Sequence, residues 1–121
     1  MIDPPPARDS SRMAYDENLA EQIRAVLKDQ PAVSERKMFG GLAFLVAGNM
    51  ACGIVGEELM LRLGKDGADA ALDEPHTRPM DFTGRPMKSM VYVAAAGFAS
   101  EQQLRAWVDR GVVYARSLPP K

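Results

Sequence analysis

Few residues of this chain could carry chemistry. His76 is the single histidine among 121 residues, and Cys52 is the single cysteine. His76 lies between Pro75 and Pro79, with no cysteine or second histidine at ligand spacing. A zinc site here would have to draw every other ligand from carboxylates, and a solvated loop residue is the ordinary reading. Cys52 sits in an apolar run between Ala51 and Gly53. A nucleophilic thiol needs a nearby base or positive dipole to become thiolate. His76 is the one base that could approach, and no spacing requires it to do so, so Cys52 reads as a buried structural thiol. A Ser-His-Asp set would also depend on His76, with nothing to orient the ring. The carboxylate pairs Glu57-Glu58 and Asp73-Glu74 fall in turn-like segments, where solvation explains them. The expectation is therefore no catalytic residue, no metal ligand and no cofactor.

Two other patterns need an account. Gly40-Gly41 lacks the Lys-Ser/Thr ending and the following helix of a phosphate loop. A bend, a bulge or a close backbone approach suits it better. Of the eight methionines only Met87 and Met90 stand at Met-x-x-Met spacing, and a lone pair is no cluster, so core filling or an adaptable interface is favoured over soft-metal ligation. Arg62 and Arg85 are the most informative polar positions. An arginine in apolar or turn-rich surroundings needs a carboxylate partner or an anionic ligand. Asp81 is close enough in sequence to pair with Arg85 across a turn, and Arg36, Lys37 and Lys88 can extend a basic patch. Two readings stay open: structural ion pairs, or a pocket for a small anionic molecule, as a binder or a cryptic enzyme, using Arg62, Arg85, Asp81 and Tyr92.

The elements that must position these residues follow from periodicity. Residues 1–12, with Pro4-Pro5-Pro6 and a polar remainder, read as a disordered N-terminal arm, and 13–121 as one domain. Leu19, Ile23, Val26 and Leu27 mark one face of a helix that Asp16 can cap and Pro31 ends. Strands are expected over 34–39, 42–46, 50–55 and around Leu59, Leu61 and Leu63, with turns at Gly48-Asn49 and Gly56-Glu57. Leu42 to Val46 is apolar on both faces and should be covered on both. The alternation around Leu61 places Arg62 opposite the leucines. A short helix capped by Asp66, an extended segment at 79–82 and a strand at 89–93 come next. Ser100 and Gln103 have capping-box spacing. Leu104, Trp107, Val108, Gly111, Val112 and Ala115 then form one apolar stripe, with Leu118 as its last member before Pro119-Pro120. Closely spaced strands exclude parallel crossovers. The fold class is thus α+β, a two-layer sandwich of an antiparallel sheet with helices on one face.

Composition limits the function. A net charge of −1 argues against direct nucleic-acid binding, which needs a concentrated basic surface. No apolar run approaches the roughly 18 residues of a membrane span, and no apolar signal core opens the chain. With a single cysteine there is no disulfide framework, and the expected location is cytoplasmic.

Several segments resemble the N-terminal domain of the bacterial TfoX/Sxy competence-regulator family. They are Lys37-Met38-Phe39-Gly40-Gly41 with Phe44, Gly48-Asn49-Met50, Leu59-Met60-Leu61-Arg62, Pro79 to Met87 and Val91-Tyr92-Val93. The resemblance implies a fold of order α-β(3)-α-β(2)-α. It also implies an accessory role in transcription, since full-length members look like co-regulators that work with the cyclic-AMP receptor protein at competence promoters. The 121 residues leave no room for the second, helical domain of those members, so a stand-alone short member is expected. The expected function is a non-enzymatic protein-interaction module. Its contact surface would be the open face of the sheet with the Met-bearing strands, around Lys37, Phe39, Gly40, Gly41, Arg62, Asp81, Arg85 and Tyr92. The partner would belong to the transcription machinery, and the same surface would allow a homodimer.

Overall fold

Capping sets the helix starts. The Asp16 carboxylate accepts from the backbone N–H groups of Asn18 (2.8 Å) and Leu19 (3.2 Å) and opens α1, Glu17–Leu27. Its buried face carries Leu19, Ala20, Ile23 and Leu27. The computed structural model describes residues 15–38, 40–82 and 85–121, and at 81, 82 and 85–87 the backbone alone. The expected arm at 1–12 and the contact residue Phe39 lie outside the described residues.

Four strands follow α1: β1 Val33–Met38, β2 Gly41–Val46, β3 Asn49–Val55 and β4 Glu58–Arg62. Then come α2 Gly64–Ala71, β5 Thr77–Phe82, β6 Arg85–Val93, a 3-10 turn at Ala95–Phe98, and α3 Glu101–Arg116. The sequence left three or four strands open before α2, and four form. The six strands pair antiparallel in the order β1-β2-β3-β4-β6-β5. This is the expected two-layer α+β architecture. β5 and β6 each run longer than expected because they pair as one hairpin through Phe82 and Arg85.

α2 starts earlier than the Asp66 cap implied. Leu63 is its N-cap residue and makes no side-chain cap bond. The Leu63 N–H instead donates to the Ser89 carbonyl at 2.9 Å, so pairing with β6 carries the chain directly into the helix. Asp66 sits inside the first turn, where its charge still suits the positive helix end. α3 has the predicted capping box. Ser100 Oγ accepts from Gln103 N–H at 3.1 Å, and Gln103 Oε1 accepts from Ser100 N–H at 3.0 Å.

All six residues of β2 are buried, as its two-sided apolarity required. One face of the sheet, with Phe44, Ile54, Leu61 and Val93 among its residues, packs with α1 and α3 in one core. The other face collects Ala43, Leu45, Tyr92 and four methionines, Met50, Met60, Met80 and Met90. No helical residue among those described belongs to that second cluster.

Two glycines mark where backbones touch. Gly41 directly faces β3, and a Cβ on it would lie 1.9 Å from the Ile54 carbonyl oxygen. The Gly40-Gly41 pair therefore serves a tight turn and a close approach. The bulge falls elsewhere: Phe44 pairs with Cys52 and Leu45 with Met50, which leaves Ala51 as the extra residue. α3 rests on that bulge through Gly111, whose missing Cβ would meet the Ala51 carbonyl oxygen at 2.3 Å.

Candidate functional site

The two residues with nucleophile or base chemistry are held apart. Cys52 is fully buried in the helix-side core, and burial pushes its thiol up to about 12. At neutral pH it stays protonated and weakly nucleophilic. His76 is exposed in the loop before β5, and its backbone carbonyl accepts from Ala94 N–H at 2.8 Å. No side-chain hydrogen bond joins the two among the described residues. Nor does any group of three His, Cys, Asp or Glu side chains come together there. An aromatic disulfide reagent should leave Cys52 unmodified in the native protein and label it fully in denaturant. Labelling at the same rate in both states would contradict the burial.

Among the expected contact residues whose side chains are described, Lys37 and Arg62 stand on opposite faces of the sheet. Lys37 is exposed on β1 opposite Leu42, so it projects from the helix side of the sheet. Arg62 pairs with Met90 and projects from the other side. The side chains of Asp81 and Arg85 lie outside the described residues, and their expected ion pair with them. Their backbones face Pro86 and Phe82 across the β5–β6 hairpin. Gly40, at φ +73, makes the β1–β2 turn, and Gly41 is buried. Tyr92 is closed off: the Arg78 guanidinium lies 4.4 Å from its ring centroid. Arg78 is itself held by both carboxylate oxygens of Glu58, one at 2.7 Å. The Glu58 hydrogen bonds raise the Arg78 pKa further, so this arginine is a structural partner of Tyr92.

The Met-bearing face also departs from expectation. It was to be an open contact surface, but Met60 and Met80 are 0% exposed and Met90 is 4% exposed. Long, unbranched thioethers fill irregular space well, and here they bury one another beside Tyr92.

Arginine pairing follows a clear division. Arg24 bonds Glu35 and Glu21, both at 2.7 Å, and Arg110 bonds Glu74 at 2.8 Å. The hydrogen bond from Arg24 holds the Glu35 carboxyl below its usual range. Arg62 has no carboxylate partner among the described residues. Its guanidinium instead stands 5.6 Å from the Tyr114 ring centroid.

The structure also assembles a hollow that the sequence did not signal. Leu63 and Gly67, at the start of α2, face Arg110, Val113, Tyr114 and Ser117 of α3 and its end across about 410 Å³. Val113 is a large hydrophobic residue left 70% exposed. It falls outside the α3 apolar stripe, where a single valine carries no pattern. Only the approach of α2 gives it a groove.

These features define a two-layer α+β domain with a buried thiol and structural arginine pairs. The chain belongs to the TfoX N-terminal domain family, whose model matches residues 25–115. A comparison with curated proteins finds none that matches. No helix among the described residues is long and apolar enough to cross a membrane.

Proposed function

We propose that this chain is a non-enzymatic interaction module, accessory to transcription, which docks a protein of the transcription machinery in the groove between α2 and α3. The exposure of Val113 beside Leu63 and Tyr114 carries the reading. An isolated exposed valine is common, but one set in an apolar groove can anchor a partner's apolar side chain. Membership of the TfoX N-terminal family supports the regulatory setting.

Burying Val113 fully would contribute about 1.5 kcal/mol, the lower end for such side chains, which is roughly tenfold in affinity. Val113→Lys should therefore weaken the complex about tenfold or more and leave the unfolding midpoint within about 0.5 kcal/mol, as surface substitutions do. The measurement is light-scattering chromatography and titration with purified cyclic-AMP receptor protein and RNA polymerase. A monomer that binds neither would overturn the reading. Binding indifferent to Val113→Lys would remove the groove from it. A dimer broken by Val113→Lys would assign the groove to a second copy in place of a transcription partner.

A further inference from the structure

The sheet face away from the helices holds a second hollow, and its chemistry differs from that of the α2–α3 groove. Leu45 and Met50 are registered partners across β2 and β3, and Arg62 and Met90 are partners across β4 and β6. Together they lay an apolar strip across four neighbouring strands, with an arginine in it. Leu45, Met50 and Met90 are each at most 7% exposed and form the floor. Arg36, Arg62 and Lys121 stand around it, with Ser89 at the β6 side, enclosing about 310 Å³.

Lys121 reaches this rim through tertiary contacts. After α3 the chain doubles back onto the β2–β3 turn. The Lys121 N–H donates to the Ala47 carbonyl at 2.8 Å. Asn49, a polar side chain only 2% exposed, donates through Nδ2 to the Pro119 carbonyl at 2.9 Å. Lys121 packs so tightly on the turn that a Cβ on Gly48 would lie 2.8 Å from the Lys121 Cβ. The segment is thus seated on the rim by two backbone-directed bonds.

No acidic side chain lines this hollow among the described residues. Arg36 and Arg62 have no carboxylate partner there, whereas Arg24, Arg78 and Arg110 all do. Two arginines that line one hollow without a carboxylate partner among the described residues are each satisfied by an anion placed between them. The floor is apolar, so a bare inorganic anion would leave it without a partner. The volume lies near the lower limit of about 300 Å³ for small-molecule sites, too small for a folded segment.

We propose that this hollow binds a small organic anion with an apolar body, of the class of a medium-chain carboxylate. The carboxylate meets Arg62 and Arg36, and the alkyl body lies on Leu45, Met50 and Met90. Methionine floors adapt to such chains because their thioethers re-pack.

Octanoate is the probe, titrated calorimetrically at constant ionic strength against the wild-type chain, Arg62→Gln and Arg36→Gln. Acetate and the uncharged octanamide serve as comparators. Saturable octanoate binding is expected, weakened about tenfold or more by Arg62→Gln, as for loss of a charge-assisted hydrogen bond. Arg36→Gln should weaken it in the same direction, and acetate and octanamide should each bind at least about tenfold more weakly than octanoate. Amide NMR shifts should centre on Met50, Arg62 and Ser89. Both arginines are solvent-accessible, and circular dichroism verifies that the variants fold. Absence of saturable binding would overturn the proposal, as would equal affinity for octanamide or unchanged affinity in the Arg62→Gln, Arg36→Gln double variant. Octanoate binding lost in Val113→Lys and kept in that double variant would place the ligand in the α2–α3 groove, which also overturns it.

Discussion

Trp107→Ala is expected to lower stability by about 3–5 kcal/mol, the range for truncating a large buried aromatic side chain. Trp107 is 7% exposed on the sheet-facing side of α3. Its Nε1–H donates to the Gly97 carbonyl at 3.0 Å, which ties the helix to the preceding 3-10 turn. The Arg110 guanidinium, 4.4 Å from the ring centroid, covers it from solvent. Alanine would leave a cavity and an acceptor with no donor. Denaturant unfolding followed by circular dichroism provides the measurement, because the chain's single tryptophan cannot report its own removal by fluorescence. Trp107→Phe separates the two effects: it restores most of the volume and should cost only about 1–3 kcal/mol for the orphaned carbonyl. A shift below 1 kcal/mol for Trp107→Ala would place the indole at the surface.

Gly111→Ala is the second large effect, and its sign is the informative part. In an ordinary helix interior this change stabilises by about 1 kcal/mol, because alanine restricts the unfolded chain more than glycine does. Here the new methyl group would sit 2.3 Å from the Ala51 carbonyl oxygen, well inside contact distance with a backbone atom that cannot rotate away. α3 would have to lift from the β3 bulge, loosening the core around Val108 and Val112. Overpacking of this kind typically costs about 1–3 kcal/mol, which outweighs the propensity gain. We expect a net loss and a lower thermal midpoint. A stabilised Gly111→Ala protein would mean that α3 does not rest on Ala51.

The legible parts of this fold were local ones. Asp16 and the Ser100–Gln103 box act as their spacing predicts because a cap bonds backbone only two or three residues away. The stripe from Leu104 to Ala115 is buried as read, since helical periodicity alone decides which residues share a face. The alternation of Leu59, Leu61 and Arg62 likewise assigned Arg62 to the face away from the helices. Asp66 misled because the start of α2 is set by the bond from Leu63 to Ser89, a partner on another strand. The bulge at Ala51 was invisible for a similar reason. It accommodates a helix that arrives from much further along the chain.

The candidate sites were less legible than the fold. The sequence marked Arg62 as an arginine in need of a partner, and its side chain is indeed unpaired with carboxylate among the described residues. Which residues gather around it was not readable. Arg36 belongs to β1, Met90 to β6 and Lys121 to the segment after α3, and only strand order and the Asn49–Pro119 bond bring them together. Tyr92 was grouped with Arg62, but Arg78 and Glu58 claim it, because the cross-strand register puts Arg78 directly opposite. The methionine face was expected to be open, whereas its residues are buried in a second cluster.

By itself the sequence determined the class of fold, the caps of α1 and α3 and the apolar stripes. These depend on residue type, chain stiffness and hydrogen bonds over a few positions. Tertiary structure alone decided where α3 touches the sheet, which arginines find carboxylates, and that Val113 faces a groove while Arg62 edges a hollow. Those outcomes depend on distances between residues remote in sequence, which are set only when all six strands take their register and the helices close over one face.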